Sequence, residues 1–197
     1  MNYSIYAEST PNPGVMKFVA NRMLVDKSIE ITQAEQAKDI SVAKALFNFP
    51  FVKSLYLSSN FISIAKTDNV EWDMIAMQLR NFITDFLNEE GLKNYTENIT
   101  EEEIIKSEVK SEKNTEKIEF TDKEKAIIDL LNEYIKPAVE ADGGAITFNS
   151  YVGDVVTVNL KGACSGCPSS TSTLKGGIES LLNQKVDPNI VVRANEG

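Results

Sequence analysis

Residues 155–170, Val155-Val-Thr-Val-Asn-Leu-Lys-Gly-Ala-Cys-Ser-Gly-Cys-Pro-Ser-Ser170, run from a β-branched strand through a Cys-x-x-Cys loop towards a helix. Cys164 and Cys167 are the only cysteines of the chain, so any thiol chemistry must use this pair. Two thiolates at this spacing suit a shared metal or a dithiol redox couple. Ser169 or Ser170 is predicted to cap the helix that follows. Both sulfurs should therefore lie near the helix N-terminus, where backbone N–H groups and the helix dipole favour a thiolate.

Three interpretations of the cysteine pair are open at this point. The first is a metal or iron-sulfur site, which normally needs four ligands, mostly Cys or His, and the chain has no His. A second copy of the chain would supply the missing thiolates most simply, on a two-fold axis. The second interpretation is a thioredoxin-type redox motif. Such a motif needs βαβ units around it, but only one short strand, Asn189–Ala194, is predicted after the loop. The third is a structural pair or a disulfide, which a chain with 42% hydrophobic residues does not need for its core.

The sequence around this loop predicts a small α+β domain over residues 120–197. Thr121-Asp-Lys-Glu124 is a capping box that begins a helix. Pro137 should loosen the last turn of this helix. Asp142-Gly143-Gly144 then ends that helix. Gly176-Gly177 lies within the last helix, which indicates close approach of the hairpin or of a partner copy, or else a solvent-exposed face. The predicted strands are Ala145–Ser150, Val155–Leu160 and Asn189–Ala194.

Residues 1–94 predict another α+β domain, in which one long helix covers a small antiparallel sheet. Trp72 begins an apolar stripe at helical spacing, which indicates a core and not a cofactor site. Thr10-Pro-Asn-Pro-Gly14 is a turn cluster, and Ser58-Ser-Asn60 is a hairpin turn. The predicted strands are Tyr3–Glu8, Val15–Ala20, Phe51–Leu57 and Phe61–Ala65, and the predicted helices are Ser41–Phe47 and a segment from Trp72 that stops at Gly91.

Residues 95–119 differ in composition from both flanking segments. Glutamate alternates with lysine, and aromatic side chains are absent after Tyr95. Because the few apolar residues form no continuous face, the segment is predicted to be a charged, flexible linker. The predicted fold class is therefore α+β, with two small domains, each a small sheet packed with helices, joined by an acidic linker.

Composition excludes several classes of function. A formal net charge of -9 and a pI near 4.7 argue against a nucleic-acid partner, which requires a surplus of Lys and Arg on at least one face. No apolar stretch is long enough to span a bilayer, and the N-terminus lacks the features of a signal or transit peptide. We therefore predict a cytoplasmic protein, in a reducing compartment that keeps the thiols available for metal.

Several motifs carry a family resemblance. Glu133–Gly144 and Leu160–Glu179, with the Asp-Gly-Gly motif and the Cys-x-x-Cys loop, closely resemble the C-terminal domain of NifU and of the Nfu iron-sulfur carrier proteins. Thr10–Phe18 and Phe61–Lys66, together with Trp72, resemble the N-terminal domain found in the Nfu branch. The two resemblances cover nearly the whole chain except the linker.

The resemblance implies a scaffold or carrier and not an enzyme. Such a protein receives a cluster from upstream assembly machinery and passes it to apo iron-sulfur proteins. The cluster is usually 4Fe-4S, with 2Fe-2S as a possibility, and is bridged between two protomers, so the loaded form should be a homodimer. The implied ligands are Cys164 and Cys167, in a site open to solvent. The first domain has no cysteine and is expected to recognise partners. The alternative function is a thiol-disulfide oxidoreductase.

Overall fold

The computed structural model describes residues 2–37, 40–89, 120–165 and 168–196. These residues form two small α+β domains, which confirms the predicted fold class. The predicted linker, residues 95–119, lies outside the described residues. None of the helices in the described part of the chain combines the length and the hydropathy that a membrane-spanning helix needs.

The first domain is an antiparallel sheet with a long helix packed against it. Its elements are β1 (Ile5–Ser9), β2 (Val15–Ala20), β3 (Ile29–Ile31), a 3-10 helix (Ala34–Ala37), α1 (Ser41–Leu46), β4 (Val52–Ser58), β5 (Phe61–Lys66) and α2 (Trp72–Glu89). The five strands have the order β1-β2-β5-β4-β3, and every neighbouring pair is antiparallel. Strands β4 and β5 form the predicted hairpin, and the predicted turn cluster at residues 10–14 joins the antiparallel pair β1-β2.

Helix α2 buries one face against the sheet, as its apolar spacing predicts. Its buried positions recur every four residues, which places them on one side of an α-helix: Ile75, Leu79, Ile83 and Leu87. They share one core with the sheet residues Phe18 and Ile64. Trp72 packs against the same core, and its Nε1 donates a hydrogen bond to the Pro13 carbonyl at 2.9 Å. The prediction that Trp72 belongs to the core is confirmed.

Strand β3 is an element that the sequence analysis missed. It has three residues, too few for a period-two pattern to show, and it pairs with β4 at the edge of the sheet. Ile31 is fully buried. Because side chains alternate along a strand, Glu30 lies on the other face of the sheet from its two isoleucine neighbours. This face is the one that meets the second domain.

The second domain has a helical segment, two strands, a second helix and a final strand, in that order. Its elements are α3 (Asp122–Leu130), a π-helical turn (Leu131–Ile135), α4 (Lys136–Ala141), β6 (Gly144–Val152), β7 (Val155–Gly162), α5 (Pro168–Lys185) and β8 (Val191–Glu196). The sheet order is β6-β7-β8. Strands β6 and β7 form the predicted hairpin, with Gly153 at a φ of 62° in its turn.

The first helical segment confirms the capping box and shows how the chain accommodates its proline. Thr121 Oγ1 accepts a hydrogen bond from Glu124 N–H at 3.3 Å, and the Glu124 carboxylate accepts one from Thr121 N–H at 2.8 Å. The helix is loosened just before Pro137 and not after it. There the Lys136 N–H donates to the Leu131 carbonyl across a π turn. A wider turn removes the need for the hydrogen bond that proline cannot donate.

Helix α5 starts earlier than predicted. It begins at Pro168, so the prediction that Ser169 or Ser170 caps it is wrong. Proline suits the first helical position, because its fixed φ is already helical and its missing N–H would have no partner there. The predicted last strand is confirmed as β8, but its parallel pairing with β7 was not foreseen.

The glycine pair within α5 faces open space. Gly176 and Gly177 are both exposed, and a Cβ added to either meets no neighbouring atom within 4 Å in the described part of the chain. The prediction that the hairpin approaches the glycine pair closely is therefore wrong. A contact with a partner copy stays a prediction.

We predict that Gly177→Ala raises the free energy of unfolding by up to about 1 kcal/mol, because alanine restricts the unfolded chain and meets no neighbour in the helix. Urea unfolding of the metal-free protein, followed by circular dichroism, measures this. A destabilised variant would contradict the open environment of the site. If the substitution stabilises the metal-free chain but prevents self-association, Gly177 is a contact with a partner copy.

Candidate functional site

Cys164 lies in the turn that joins β7 to α5, close to the N-terminus of that helix as predicted. Its side chain belongs to the core of the second domain, together with Val139, Leu160 and Ile178. Only 5% of the residue is exposed. The expectation of a solvent-open site is therefore wrong for Cys164 in this structure. The other predicted ligand, Cys167, lies outside the described residues.

The sulfur of Cys164 occupies the space that a side chain at Gly144 would need. A Cβ added to Gly144 would lie 2.7 Å from Cys164 Sγ and 2.8 Å from the Lys161 carbonyl oxygen. Gly144 pairs with Gly162 at the end of the β6-β7 hairpin, so the strand passes directly behind the cysteine turn. The second glycine of the Asp-Gly-Gly motif is thus required by the buried sulfur.

The first glycine of that motif connects α4 to the cysteine turn. Gly143 has a φ of 81°, which favours glycine, and its N–H donates to the Glu140 carbonyl at 3.1 Å. Its carbonyl oxygen accepts a hydrogen bond from Ala163 N–H at 3.2 Å and another from Ser63 Oγ at 2.6 Å. The helix end, the cysteine turn and the first domain therefore meet at one backbone oxygen.

Asn12 of the first domain contacts the backbone on both sides of Cys164. Its Nδ2 lies 3.0 Å from the Ala163 carbonyl oxygen and 3.5 Å from that of Ser165, and donates to both. Its Oδ1 accepts a hydrogen bond from Gly14 N–H at 2.9 Å, which fixes the orientation of the carboxamide. The turn that joins β1 to β2 thus also holds the cysteine turn.

Glu30 forms a further contact between the domains. Its Oε1 accepts a hydrogen bond from the N–H of Gly162, at 3.1 Å. Gly162 has a φ of 63°, and a Cβ there would lie 2.8 Å from Cδ1 of the Tyr56 ring and 2.8 Å from the Gly143 carbonyl oxygen. The backbone at this position therefore approaches the first domain closely, and only glycine fits without a shift.

Lys17 of the first domain interacts with the end of α4. Its Nζ donates to the Ala141 carbonyl at 2.9 Å and lies 4.7 Å from the centroid of the Phe61 ring. A cation is favourable at this position because the carbonyls at a helix C-terminus carry partial negative charge. Glu8 forms an ion pair with the same Nζ at 3.7 Å.

A cavity of about 370 Å³ opens beside the cysteine. Its lining is mostly apolar and includes Pro11 from the first domain together with Val139, Cys164 and Leu174 from the second. In the described part of the chain, no group of three or more Cys, Asp or Glu side chains lies together as a metal site would require. The described residues thus offer Cys164 as a metal ligand without a surrounding set of protein ligands.

Sequence reasoning missed the contribution of the first domain to this site. Asn12 was interpreted only as part of a turn, and Lys17, Glu30 and Ser63 carried no signal, because their partners are backbone groups at least 80 residues away. The Asp-Gly-Gly motif was recognised, but only as a helix stop.

Two known families match the chain in its two halves. Residues 5–90 match the family described as scaffold protein Nfu/NifU N terminal. Residues 127–193 match the family described as NifU-like domain. The second match includes the Asp-Gly-Gly motif and both cysteines.

Similar proteins are known from several organisms. A Drosophila grimshawi protein named "NFU1 iron-sulfur cluster scaffold homolog, mitochondrial" is 34% identical over 181 residues, which are 90% of this chain and 57% of that protein. Its namesake in Drosophila willistoni is 34% identical over 181 residues, 90% of this chain and 58% of that protein. The chain thus spans less than two thirds of either relative. The solution structure of a NifU-like protein from Saccharomyces cerevisiae is 28% identical, covers 44% of this chain and 79% of that chain, and has a TM-score of 0.40.

We predict that Gly144→Ala destabilises the protein by about 1–3 kcal/mol, because its Cβ would overlap the Cys164 sulfur and a strand carbonyl. Urea unfolding of the metal-free protein measures the loss. Gly177→Ala is the matched control, since the same methyl group there meets open space. Equal stability of Gly144→Ala and the unmodified protein would show that the sulfur does not occupy this position in solution.

Proposed function

The chain belongs to the Nfu/NifU family of scaffold proteins, and on that premise we propose that it is an iron-sulfur cluster scaffold and carrier. It assembles or receives a 4Fe-4S cluster, holds it between two copies of the chain and transfers it to apo iron-sulfur proteins. The observation that carries the proposal is the position of the Cys-x-x-Cys loop within a NifU-like domain, beside an Asp-Gly-Gly motif whose second glycine makes room for the Cys164 sulfur.

The proposed ligands are the thiolates of Cys164 and Cys167. They are the only cysteines, and the chain has no histidine, so one copy offers two of the four ligands that a cluster normally takes. Two copies related by a two-fold axis offer four thiolates. The N-terminus of α5 follows the loop directly, and its positive end favours the anionic, ligated form of the sulfurs.

Transfer in this proposal is an exchange of ligands. Each thiolate of the recipient forms a new bond to iron as one bond to a scaffold thiolate breaks, so the number of iron-sulfur bonds is conserved and no electron is transferred. No residue of the chain has to donate or remove a proton during the exchange of one thiolate for another. We therefore assign no catalytic residue and do not propose an enzyme.

The proposed partners follow from this role. The cluster-loaded form is a homodimer, the donors belong to the upstream assembly machinery, and the recipients are apo iron-sulfur proteins. The relatives are named as mitochondrial proteins, so the cytoplasmic location predicted from the sequence stays a prediction. The match to a NifU-like domain does not support the alternative of a thiol-disulfide oxidoreductase.

We predict that anaerobic reconstitution with iron and sulfide converts a monomeric chain into a dimer that holds one 4Fe-4S cluster. Size-exclusion chromatography with iron and sulfide analysis gives the stoichiometry, and Mössbauer spectra distinguish 4Fe-4S from 2Fe-2S. Cys164→Ala and Cys167→Ala should each lose both the iron and the dimer, because two thiolates across an interface leave the cluster half-ligated.

Ser165→Ala is the matched control for this experiment, since it alters the same loop and keeps both thiols. It should bind iron as the unmodified chain does. A stable monomer that holds four irons without any small thiol would contradict the shared site. Rapid disulfide reduction by iron-free protein would favour the oxidoreductase instead.

A further inference from the structure

The first domain surrounds the backbone of the cysteine turn, here defined as residues 162–165. We propose that this contact is an intramolecular clamp, which holds Cys164 in a closed position and must release before a cluster can be shared between two chains. The clamp consists of four first-domain side chains: Asn12, Lys17, Glu30 and Ser63. The proposal rests on the proposed function in one respect, namely that a shared cluster requires the Cys164 sulfur at the protein surface.

The clamp replaces water on the backbone of the cysteine turn. Glu30 accepts from Gly162 N–H, and the Asn12 carboxamide donates to the carbonyls of Ala163 and Ser165. A turn that projects from a domain normally presents such groups to solvent. Here they are satisfied by side chains of another domain, which fixes the path of the backbone before and after the cysteine.

Lys17 and Ser63 bind backbone carbonyls of residues 141–143, the segment behind the Cys164 sulfur. Ser63 is buried and donates to the Gly143 carbonyl, while Lys17 donates to the Ala141 carbonyl at the end of α4. A Cβ at Gly143 would lie 2.7 Å from Ser63 Oγ, so the two domains are in close contact here. The segment behind Cys164 and the turn in front of it are therefore both attached to the first domain.

This closed position is incompatible with a shared cluster. Cys164 is 5% exposed, and its sulfur points to the space beside Gly144, within its own domain. A thiolate bonds to metal at about 2.3 Å, so a sulfur that serves a site between two chains must lie at the surface. Turning it outwards moves residues 163–165 and breaks the hydrogen bonds from Asn12. Docking of the first domain therefore weakens cluster binding, and cluster binding weakens docking by the same factor.

The first test measures closure without metal. In a Cys167→Ser background, the rate at which iodoacetamide alkylates Cys164 reports the open fraction of the turn. Asn12→Asp keeps the acceptor for Gly14 N–H but replaces the donor with an anion that faces two carbonyl oxygens. Glu30→Ala removes the acceptor for Gly162 N–H. Matched controls on exposed positions of the first domain are Asn81→Asp and Glu71→Ala.

We expect both clamp variants to be alkylated about fivefold faster or more, the effect of one lost hydrogen bond, and both controls to match the parent. The two clamp substitutions change the local charge in opposite directions. An acceleration in both therefore reports opening and not an electrostatic effect on the thiolate. Rates equal to those of the controls would overturn the clamp, whether or not the protein binds a cluster.

The second test uses the same variants with Cys167 intact. Asn12→Asp and Glu30→Ala should reach half-maximal cluster content and dimer at a lower iron concentration than the parent, because both chains that share a cluster must open and each variant opens more readily. Faster alkylation with unchanged loading would overturn the opposition between docking and loading. Failure of every variant and of the parent to bind a cluster would overturn the proposed function and this opposition with it, and the alkylation rates would still decide whether the clamp exists.

Discussion

The carbonyl oxygen of Gly143 links the two domains of this molecule through hydrogen bonds. It accepts hydrogen bonds from Ala163 N–H and from Ser63 Oγ, and thereby connects the end of α4, the cysteine turn and the sheet of the first domain. A carbonyl with two lone pairs can satisfy both donors at once. The left-handed backbone at Gly143 aims the oxygen at them, and a side chain there would meet Ser63. The local stop of a helix and the docking of two domains thus depend on the same glycine.

The burial of Cys164 follows from this arrangement and bears on its chemistry. A neutral thiol is buried at little cost because it behaves as a small apolar group, whereas a thiolate needs hydrogen bonds, a metal or solvent. The closed position beside Gly144 buries the sulfur in the core of its own domain. The N-terminus of α5, a short distance along the chain, suits the anionic, metal-bound form. In the proposed cycle, the cysteine turn moves between these two environments.

The sequence predicted the elements whose signals are local. The stripe that begins at Trp72 and the capping box at Thr121 are formed by residues three or four positions apart, and both are confirmed. Strand β3 is too short to show a period, and the parallel pairing of β8 depends on which strand edge the chain returns to. The buried position of Cys164 depends on residues of its own domain that are distant in sequence, and the role of Asn12 depends on backbone groups of the other domain. No local pattern records either of them.

A contact built from a few hydrogen bonds can act as a clamp because both domains belong to one chain. Between separate molecules, bonds of about 1 kcal/mol each would not repay the entropy of association. Within one chain, the covalent connection raises the effective concentration of one domain near the other, so weak bonds suffice to close the turn. The same weakness lets stronger metal-thiolate bonds open it. A larger, apolar interface would bury the cysteine too firmly for a protein whose proposed role is to take up and release a cluster.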